Sequence, residues 1–378
     1  MKAVILVGGE GTRLRPLTCT TPKPMLPLVN IPFIEYIIRL LKEHDICDII
    51  LSVGYISDIF ESCFNDGGHL GVKLTYVVED KLLGTCGAVK NVESLLGGET
   101  FIVFNGDILT NLNIGQLLEY HRAKKAAVTI TLTPVEDPTI YGLVPLDNSG
   151  RVLEFLEKPS WDEVTTDLIN AGTYVIEPEV LRYVPGGENY SFERGLFPAL
   201  LENRERVFGF HSSAYWLDIG TPEKYLLAHK DILEGKVSLE FIAQEIMSAD
   251  KQAKSRVWVG KRAKISPEGT IFGPTVIGEN AVIESHATIF SHTTIGNNCR
   301  ISSGTVLEGC VLLDGCRIGE GSVVKNSILG RGLKLGKKVH VEEMVVLGDN
   351  MKVGDENHLK RGMKVWPDTE IEKGKIRF

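Results

Sequence analysis

Nowhere in this chain do about 18 apolar residues occur together, the minimum for a membrane-crossing helix, so no such helix is expected. The N-terminal MKAVILVGGEG has too short an apolar run for a secretory leader and reads as a buried strand. A CxxC pair is missing too. The seven cysteines, Cys19, Cys47, Cys63, Cys86, Cys299, Cys310 and Cys316, are odd in number and predict free thiols in a reducing, cytoplasmic compartment. Basic charge is scarce: 41 Lys and Arg against 49 Asp and Glu leave a formal charge of -8. That balance argues against broad binding to nucleic acid or anionic membrane, so a phosphate ligand must be gripped locally. Neither the GxxxxGK[ST] of a Walker loop nor the GxGxxG of a dinucleotide fold occurs.

What is present is a globular composition, 43% hydrophobic and 24% charged over 378 residues, long enough for two domains. The spacing predicts strands at 3–7, 48–53, 72–78 and 101–104. Helices are expected from Pro32 onward, with Ile34, Ile37, Ile38 and Leu41 on one face, at 57–64, and from a Thr85 cap through Leu96. This alternation argues for a mostly parallel α/β sheet, with ligands at the carboxyl ends of the strands, where Gly8 and Asp107 fall. Further strands are expected at 128–133, 142–146, 152–157 and 171–176, then a helix at 192–203, a strand near Val207 and a Thr221-capped helix through Leu233. The first domain then covers 1–235. Residues 236–256 read as a linker, helical around 241–247, and 257–378 as a second domain.

That second domain is marked by period. Val259, Ile265, Ile271, Ile277, Ile283, Ile289, Ile295, Ile301, Leu307 and Leu313 fall at steps of six, and the step resumes from Leu335 through Val341, Leu347, Val353, Leu359 and Val365 to Ile371. A hexapeptide period predicts a parallel β-helix, whose coils bury little apolar area without their neighbours. The slip between Leu313 and Leu329 is expected to mark a loop or irregular coil.

The residues that could carry chemistry begin at Gly8. In GGEGTRLRPLTCTTPKPMLP, glycines Gly8, Gly9 and Gly11 can bring backbone N–H groups close to phosphate oxygens, Arg13 adds a charged fork and Lys23 a compact cation. A plain glycine turn would look the same. Asp107 and Asp218 each follow an apolar run and could reach the ligand edge, although either alone could be a cap or turn residue.

Read together and in order, GGEGTRLRPLT, PKPMLP, LGTCGAV (83–89), NGD (105–107), EKP (157–159), NAG (170–172) and WLDIGTPEKY (216–225) resemble the sugar-nucleotide pyrophosphorylases, a family of nucleotidyltransferases. The resemblance implies a Rossmann-like, mostly parallel sheet in the catalytic domain, followed by a C-terminal left-handed parallel β-helix of hexapeptide repeats. It implies a reaction in which a hexose-1-phosphate oxygen attacks the α-phosphorus of a nucleoside triphosphate and pyrophosphate leaves. It places the nucleotide on Leu6, Gly8, Gly9, Gly11, Thr12, Arg13, Lys23, Glu79, Gly84, Thr85 and Asp107. The sugar phosphate falls to Gly106, Tyr141, Gly142, Glu157, Lys158, Asn170 and Gly172, and Mg²⁺ to Asp107 and Asp218. Arg13, Lys23, Asp107, Lys158 and Asp218 are the expected catalytic set, and Glu193 and Arg194 are further candidates for the pocket.

Family members that use uridine or thymidine nucleotides tend to carry Gln five residues before the glycine of the LGT-type motif; here Glu79 holds that position. A carboxylate only accepts hydrogen bonds, which suits guanine's adjacent N1–H and 2-amino donors, so GTP is the expected triphosphate. SFERGLFPAL resembles a segment of the mannose-using branch, with Arg194-Gly195 as a departure. The expected pair is thus GTP and mannose-1-phosphate. A glucose-1-phosphate nucleotidyltransferase using UTP, dTTP or ATP, and a non-catalytic regulatory subunit of this plan, stand as alternatives. His286, His292, His340 and His358 could serve an acyl transfer on the β-helix, but self-assembly into a homo-oligomer is the expected role of 257–378.

Overall fold

In the computed structural model, which describes residues 1–54, 57–237, 244–247 and 256–376, the first apolar run forms β1 (Lys2–Leu6). Ala3, Val4 and Ile5 are fully buried. A strand with no polar face must be covered on both sides, and β1 accordingly lies inside the sheet, parallel to both β2 (Asp48–Val53) and β4 (Phe101–Asn105). β3 (Lys73–Val78) extends the sheet parallel to β2. After the short β5 (Ile108–Thr110), β6 (Val128–Pro134) begins the antiparallel part together with β7 (Gly142–Leu143), β8 (Leu156–Glu157) and β9 (Leu168–Ile176). β9 pairs antiparallel with β4, and β10 (Val207–His211) adds to β6 in parallel. The result is a nine-stranded sheet running β8-β7-β9-β4-β1-β2-β3, with β6 and β10 branching from β9. The short β11 (Trp216–Asp218) pairs antiparallel with β5.

Helices fall close to where periodicity places them. The helix Phe33–Glu43 buries Ile34, Ile37, Ile38 and Leu41, and Glu35 accepts from Arg39 one turn on; Pro32 stands in a two-residue strand just before it. The expected Thr85 cap is not formed. The helix Gly84–Asn91 starts one residue earlier and yields to a short helix at Glu93–Leu96. The carbonyl of Tyr190 accepts from Cys86 and Gly87, so a neighbouring backbone group satisfies the N–H groups that a cap would have served. The segment expected as one helix over 192–203 is a π-helical turn, Phe192–Leu196, followed by the α-helix Phe197–Glu202. Thr221 does cap Pro222–Leu233, accepting from the Lys224 N–H.

Gln244–Met247 is a strand, antiparallel to Arg256–Val259, rather than the expected helix; residues 241–243 lie outside the described residues. Gln, Glu and Met favour helix, but the segment gains a backbone ladder with Arg256–Val259 at the sheet edge, and that tertiary pairing overrides the local propensity. Beyond it, parallel strands stack in three sheets, as in a left-handed β-helix. The slip in the repeat is no loop. Ile295 pairs with Leu312 and Leu312 with Leu329, whereas Leu329 pairs with Leu347, so two successive coils are each one residue short while every ladder continues. The core position is therefore Leu312, beside Leu307 and Ile318. His286 and His292 occupy turn positions of positive φ, and the His340 and His358 rings tilt together on neighbouring strands.

The described residues fall into two compact units, 1–9 with 34–218 and 10–33 with 219–378. The chain thus passes from one unit to the other at Gly9–Glu10, within the glycine signature itself. Each coil depends on its neighbours for burial, so truncating Ile318, 1% exposed in the middle of the stack, is expected to be costly. Ile318→Ala should lose about 2–5 kcal/mol of unfolding free energy, read from urea denaturation of the full chain.

Candidate functional site

The first unit gathers its candidate residues at the carboxyl ends of β1, β2, β3 and β4. Glu79 follows β3 directly. Its carboxylate accepts from the Ser52 hydroxyl at the end of β2 and from the Leu83 N–H, both at 3.1 Å, and a side chain at Gly8 would meet its Oε1 at 3.6 Å. Glu79 therefore turns inward to the strand ends rather than toward Asp80 and Lys81. Two of its about four lone-pair sites are used by the protein, which leaves acceptor capacity for a ligand. Ser52 was not legible as an orienting residue, yet a fully buried polar side chain in the apolar run DIILSV is the signal that points to it.

Next to it, Gly84 has φ +69°, and a Cβ there would stand 2.8 Å from the Tyr190 carbonyl oxygen. Thr85 accepts from the Phe192 N–H at 3.1 Å and donates to Glu193 at 3.4 Å. The LGT motif thus forms a tight joint with the segment 188–193, with Thr85 facing that segment.

Asp107 and Asp218 come together through backbone pairing. Asp218, at the end of β11, stands opposite Ile108, the residue after Asp107. Gly106 donates its N–H to the Leu6 carbonyl at 2.9 Å, and a Cβ there would lie 2.6 Å from that oxygen, so only glycine lets β4 end against β1. Asp218 is buried and Asp107 half-buried. Among the described residues no group of three or more His, Cys, Asp or Glu side chains could hold a metal. A cation here would have these two carboxylates as its protein ligands and oxygens from water and substrate for the rest. That is how Mg²⁺ is commonly bound.

In the antiparallel part, Gly142 pairs with Glu157 across β7 and β8; a Cβ at Gly142 would strike the Phe155 ring at 2.6 Å. Lys158 is exposed and takes φ +54°, uncommon for a side-chain-bearing residue, while its N–H donates to the Tyr141 carbonyl. The Tyr141 ring meets Trp216 edge-on at 5.4 Å, and Trp216 Nε1 donates to the Ala171 carbonyl. Asn170 accepts from the Gly172 N–H at 3.0 Å and donates to the Tyr174 hydroxyl at 2.8 Å. Gly172, at φ +74°, leaves room for Asn105.

Glu193 ties this region together. It accepts from Asn170 and Tyr174 on one oxygen and from Thr85 and Ser191 on the other. Its charge has a consequence for Glu157, whose carboxyl is raised above the usual range first by burial and then by repulsion from Glu193, with Lys158 and Arg194 opposing. The departure Arg194-Gly195 also has a steric reason. The Tyr190 ring lies 2.6 Å from where a Cβ on Gly195 would stand, so any side chain there would have to displace that ring.

The second unit holds the rest of the signature. Gly11, at φ +60°, begins a turn closed by the Thr18 hydroxyl donating to its carbonyl at 2.8 Å; a Cβ there would be 3.1 Å from Cβ of Lys23. Thr12–Leu14 and Lys23–Met25 are 3₁₀ turns, anchored by buried Leu14 and Met25. Lys23 is itself 7% exposed, whereas Thr12 and Arg13 are exposed. The Arg13 guanidinium lies over Gly220, where a Cβ would come within 2.7 Å of Nη2.

Residues 2–235, well over half of the chain, match the family model described as nucleotidyl transferase. The chain belongs to the nucleotidyl transferase family. Residues 271–376 match a second model, the GMPPB C-terminal domain. Among curated relatives of this nucleotidyl transferase, the mannose-1-phosphate guanylyltransferase of Mycobacterium tuberculosis is 38% identical over 83% of this chain and 80% of its own. Mannose-1-phosphate guanylyltransferase 1 of Arabidopsis thaliana is 30% identical over 100% of this chain and 99% of its own. Among solved structures, HddC from Yersinia pseudotuberculosis complexed with GMP-PN is similar at a TM-score of 0.54 and 30% identity, over 61% of this chain and 99% of that one.

The raised carboxyl of Glu157 makes a testable statement about stability. A folded-state pKa above the unfolded one means that ionisation opposes folding. The penalty is absent below the unfolded value and grows as pH rises through the folded one. Glu157→Gln is expected to raise the urea midpoint at about pH 7.5 and to leave it unchanged at about pH 4.

Proposed function

We propose that this nucleotidyl transferase joins GTP and mannose-1-phosphate into GDP-mannose and releases pyrophosphate. The observation that carries the reading is Glu79, an acceptor-only group held at the strand ends beside Gly8 by Ser52 and the Leu83 N–H. Guanine presents two adjacent donors to such a group. Uracil or thymine would set a carbonyl against it, at a cost of about 1–3 kcal/mol. The names of the two relatives support the same pair of substrates.

In the reaction, a phosphate oxygen of mannose-1-phosphate forms a bond to the α-phosphorus as the bond from that phosphorus to the bridging oxygen breaks. The electron pair leaves with pyrophosphate. A phosphate monoester is largely dianionic near neutral pH, its second pKa being about 6, so the nucleophile needs no protein base. Positioning and charge neutralisation carry the rate. Gly8, Gly9 and Gly11 offer backbone N–H groups to the phosphates, and Arg13 and Lys23 take the charge of the leaving pyrophosphate. Lys158 takes the sugar phosphate, and Glu157 accepts from sugar hydroxyls. Asp107 and Asp218 are the ligands for Mg²⁺, which when bound neutralises phosphate charge. Asn170 acts through Gly172 and Tyr174, which its side chain already bonds.

The reading carries with it self-association through residues 257–378, checked by sedimentation, and a cytoplasmic location, supported by seven cysteines that are all free thiols. Pyrophosphate release from five triphosphates against mannose-, glucose-, galactose- and N-acetylglucosamine-1-phosphate tests the substrates. GTP with mannose-1-phosphate is expected to dominate; silence with every pair would leave a regulatory subunit. Asp107→Ala is expected to abolish turnover with an unchanged urea midpoint. Glu79→Gln should shrink the ratio of kcat/KM for GTP over UTP by about tenfold or more; an unchanged ratio would overturn the assignment of the base.

A further inference from the structure

The segment 10–33 belongs to the same unit as the β-helix, and its polar side chains are bonded to named coils. The Thr20 hydroxyl donates to Oδ2 of Asp349 at 2.6 Å, and the Arg331 guanidinium donates to the Thr21 hydroxyl. Asn30 donates to the Ile295 carbonyl at 2.9 Å. The helix Pro222–Leu233 adds Tyr225, whose hydroxyl donates to the Pro27 carbonyl, and His229, whose Nδ1 accepts from the Val29 N–H. Val29 and Asn30 both have positive φ, a conformation unfavourable for a β-branched residue, so the turn between the strands Pro27–Leu28 and Ile31–Pro32 is held by these contacts.

The β-helix itself shows which of these contacts exceed what its own fold needs. At one corner, a polar side chain in three of the coils accepts the N–H of the matching residue one coil before. Asn297 takes that of Glu279, Asp314 that of Asn297, and Asp349 that of Arg331, at 2.7–2.8 Å. The next member after Asp314 in this column is Arg331, which has no acceptor atom on its side chain. The corner ladder is interrupted there, and the guanidinium donates to Thr21 instead. Asp349 serves the ladder with Oδ1 and spends Oδ2 on Thr20. Its side chain is 7% exposed, as is Thr21.

Thr20 and Thr21 stand three and two residues before Lys23, in a turn already tightened by Thr18 on the Gly11 carbonyl. A shift at this pair is therefore a shift of the Lys23 backbone. We infer that Arg331 and Asp349 are positioning residues for nucleotidyl transfer, which fix Thr20 and Thr21 and through them the run from Gly11 to Lys23. This rests on the reading that Arg13 and Lys23 take the pyrophosphate. The β-helix is then a working part of the triphosphate grip as well as a surface for assembly.

The experiment uses the full-length protein. Thr20→Val and Thr21→Val remove only hydroxyls and keep the coils intact; Arg331→Met and the double variant Thr21→Val/Arg331→Met complete a cycle, with Lys23→Met as reference. Initial rates are measured with GTP varied at saturating mannose-1-phosphate and the reverse, alongside thermal midpoints. The expected result is a fall in kcat/KM for GTP of about tenfold in each single variant, with KM for mannose-1-phosphate and the midpoints of the two Thr→Val variants unchanged. The double variant should be no worse than Arg331→Met, because both remove one interaction. Arg331→Lys, which keeps a donor, should recover part of the loss. Wild-type kinetics in Thr20→Val and Thr21→Val, or equal losses toward both substrates, would overturn the inference. If Lys23→Met is itself without effect on GTP kinetics, the pyrophosphate role of the loop fails instead.

Discussion

The close approach of β4 to β1 at Gly106 is the constraint on which the rest of the first unit depends. With 2.6 Å between the Leu6 oxygen and the place where a Cβ would stand, the chain can end its fourth strand there only as glycine. That contact brings Asp107 level with the end of β1, where the glycine signature starts, and lets β5 run on to pair with β11. Asp218 is thereby carried beside it from more than a hundred residues away. A single backbone hydrogen bond, between the Gly106 N–H and Leu6, thus sets where the carboxylates and the first glycines can meet in this unit.

Charge organises the remainder. Glu79, Glu157 and Glu193 are each fixed by neighbours: Ser52 and the Leu83 N–H, the strand pair with Gly142, and the four donors around Glu193. Acceptor groups held in this way read hydroxyls and amino groups, the donors of sugars and of guanine. Cations stand on the loop, as Arg13 and Lys23, and beside Glu157, as Lys158 and Arg194. A protein of net charge -8 thus keeps these cations in local groups.

The strand order and the hexapeptide repeat were legible because burial on both faces, or one aliphatic residue per face, leaves a pattern in the sequence. What escaped were features set by contacts between distant segments. Thr85 has the chemistry of a cap, but the Tyr190 carbonyl satisfies the helix start and frees Thr85 to meet Glu193. The repeat lost its register at Leu313 because a residue missing at a corner changes the count without disturbing the ladder. Gln244–Met247 took the strand that an open sheet edge offered. Candidate residues could be picked out by motif, but Ser52, Trp216 and the hub at Glu193 acquire meaning only from what they touch. The division of GGEGTRL between two units left no trace in composition at all.

That division bears on how the enzyme comes into being. A chain emerges from the ribosome N-terminus first, and strands β1 to β11 can begin to pair as they appear. The glycine loop is made before its fixings: Asn30 finds its acceptor only when the coil containing Ile295 exists, Thr20 finds its acceptor only with the coil of Asp349, and Thr21 its donor only with the coil of Arg331. The segment 10–33 is therefore made well before the coils that hold it. Newly made chains carry the signature without its fixings until the coils of Arg331 and Asp349 have wound, so an early stretch of sequence waits on a distant one for its shape.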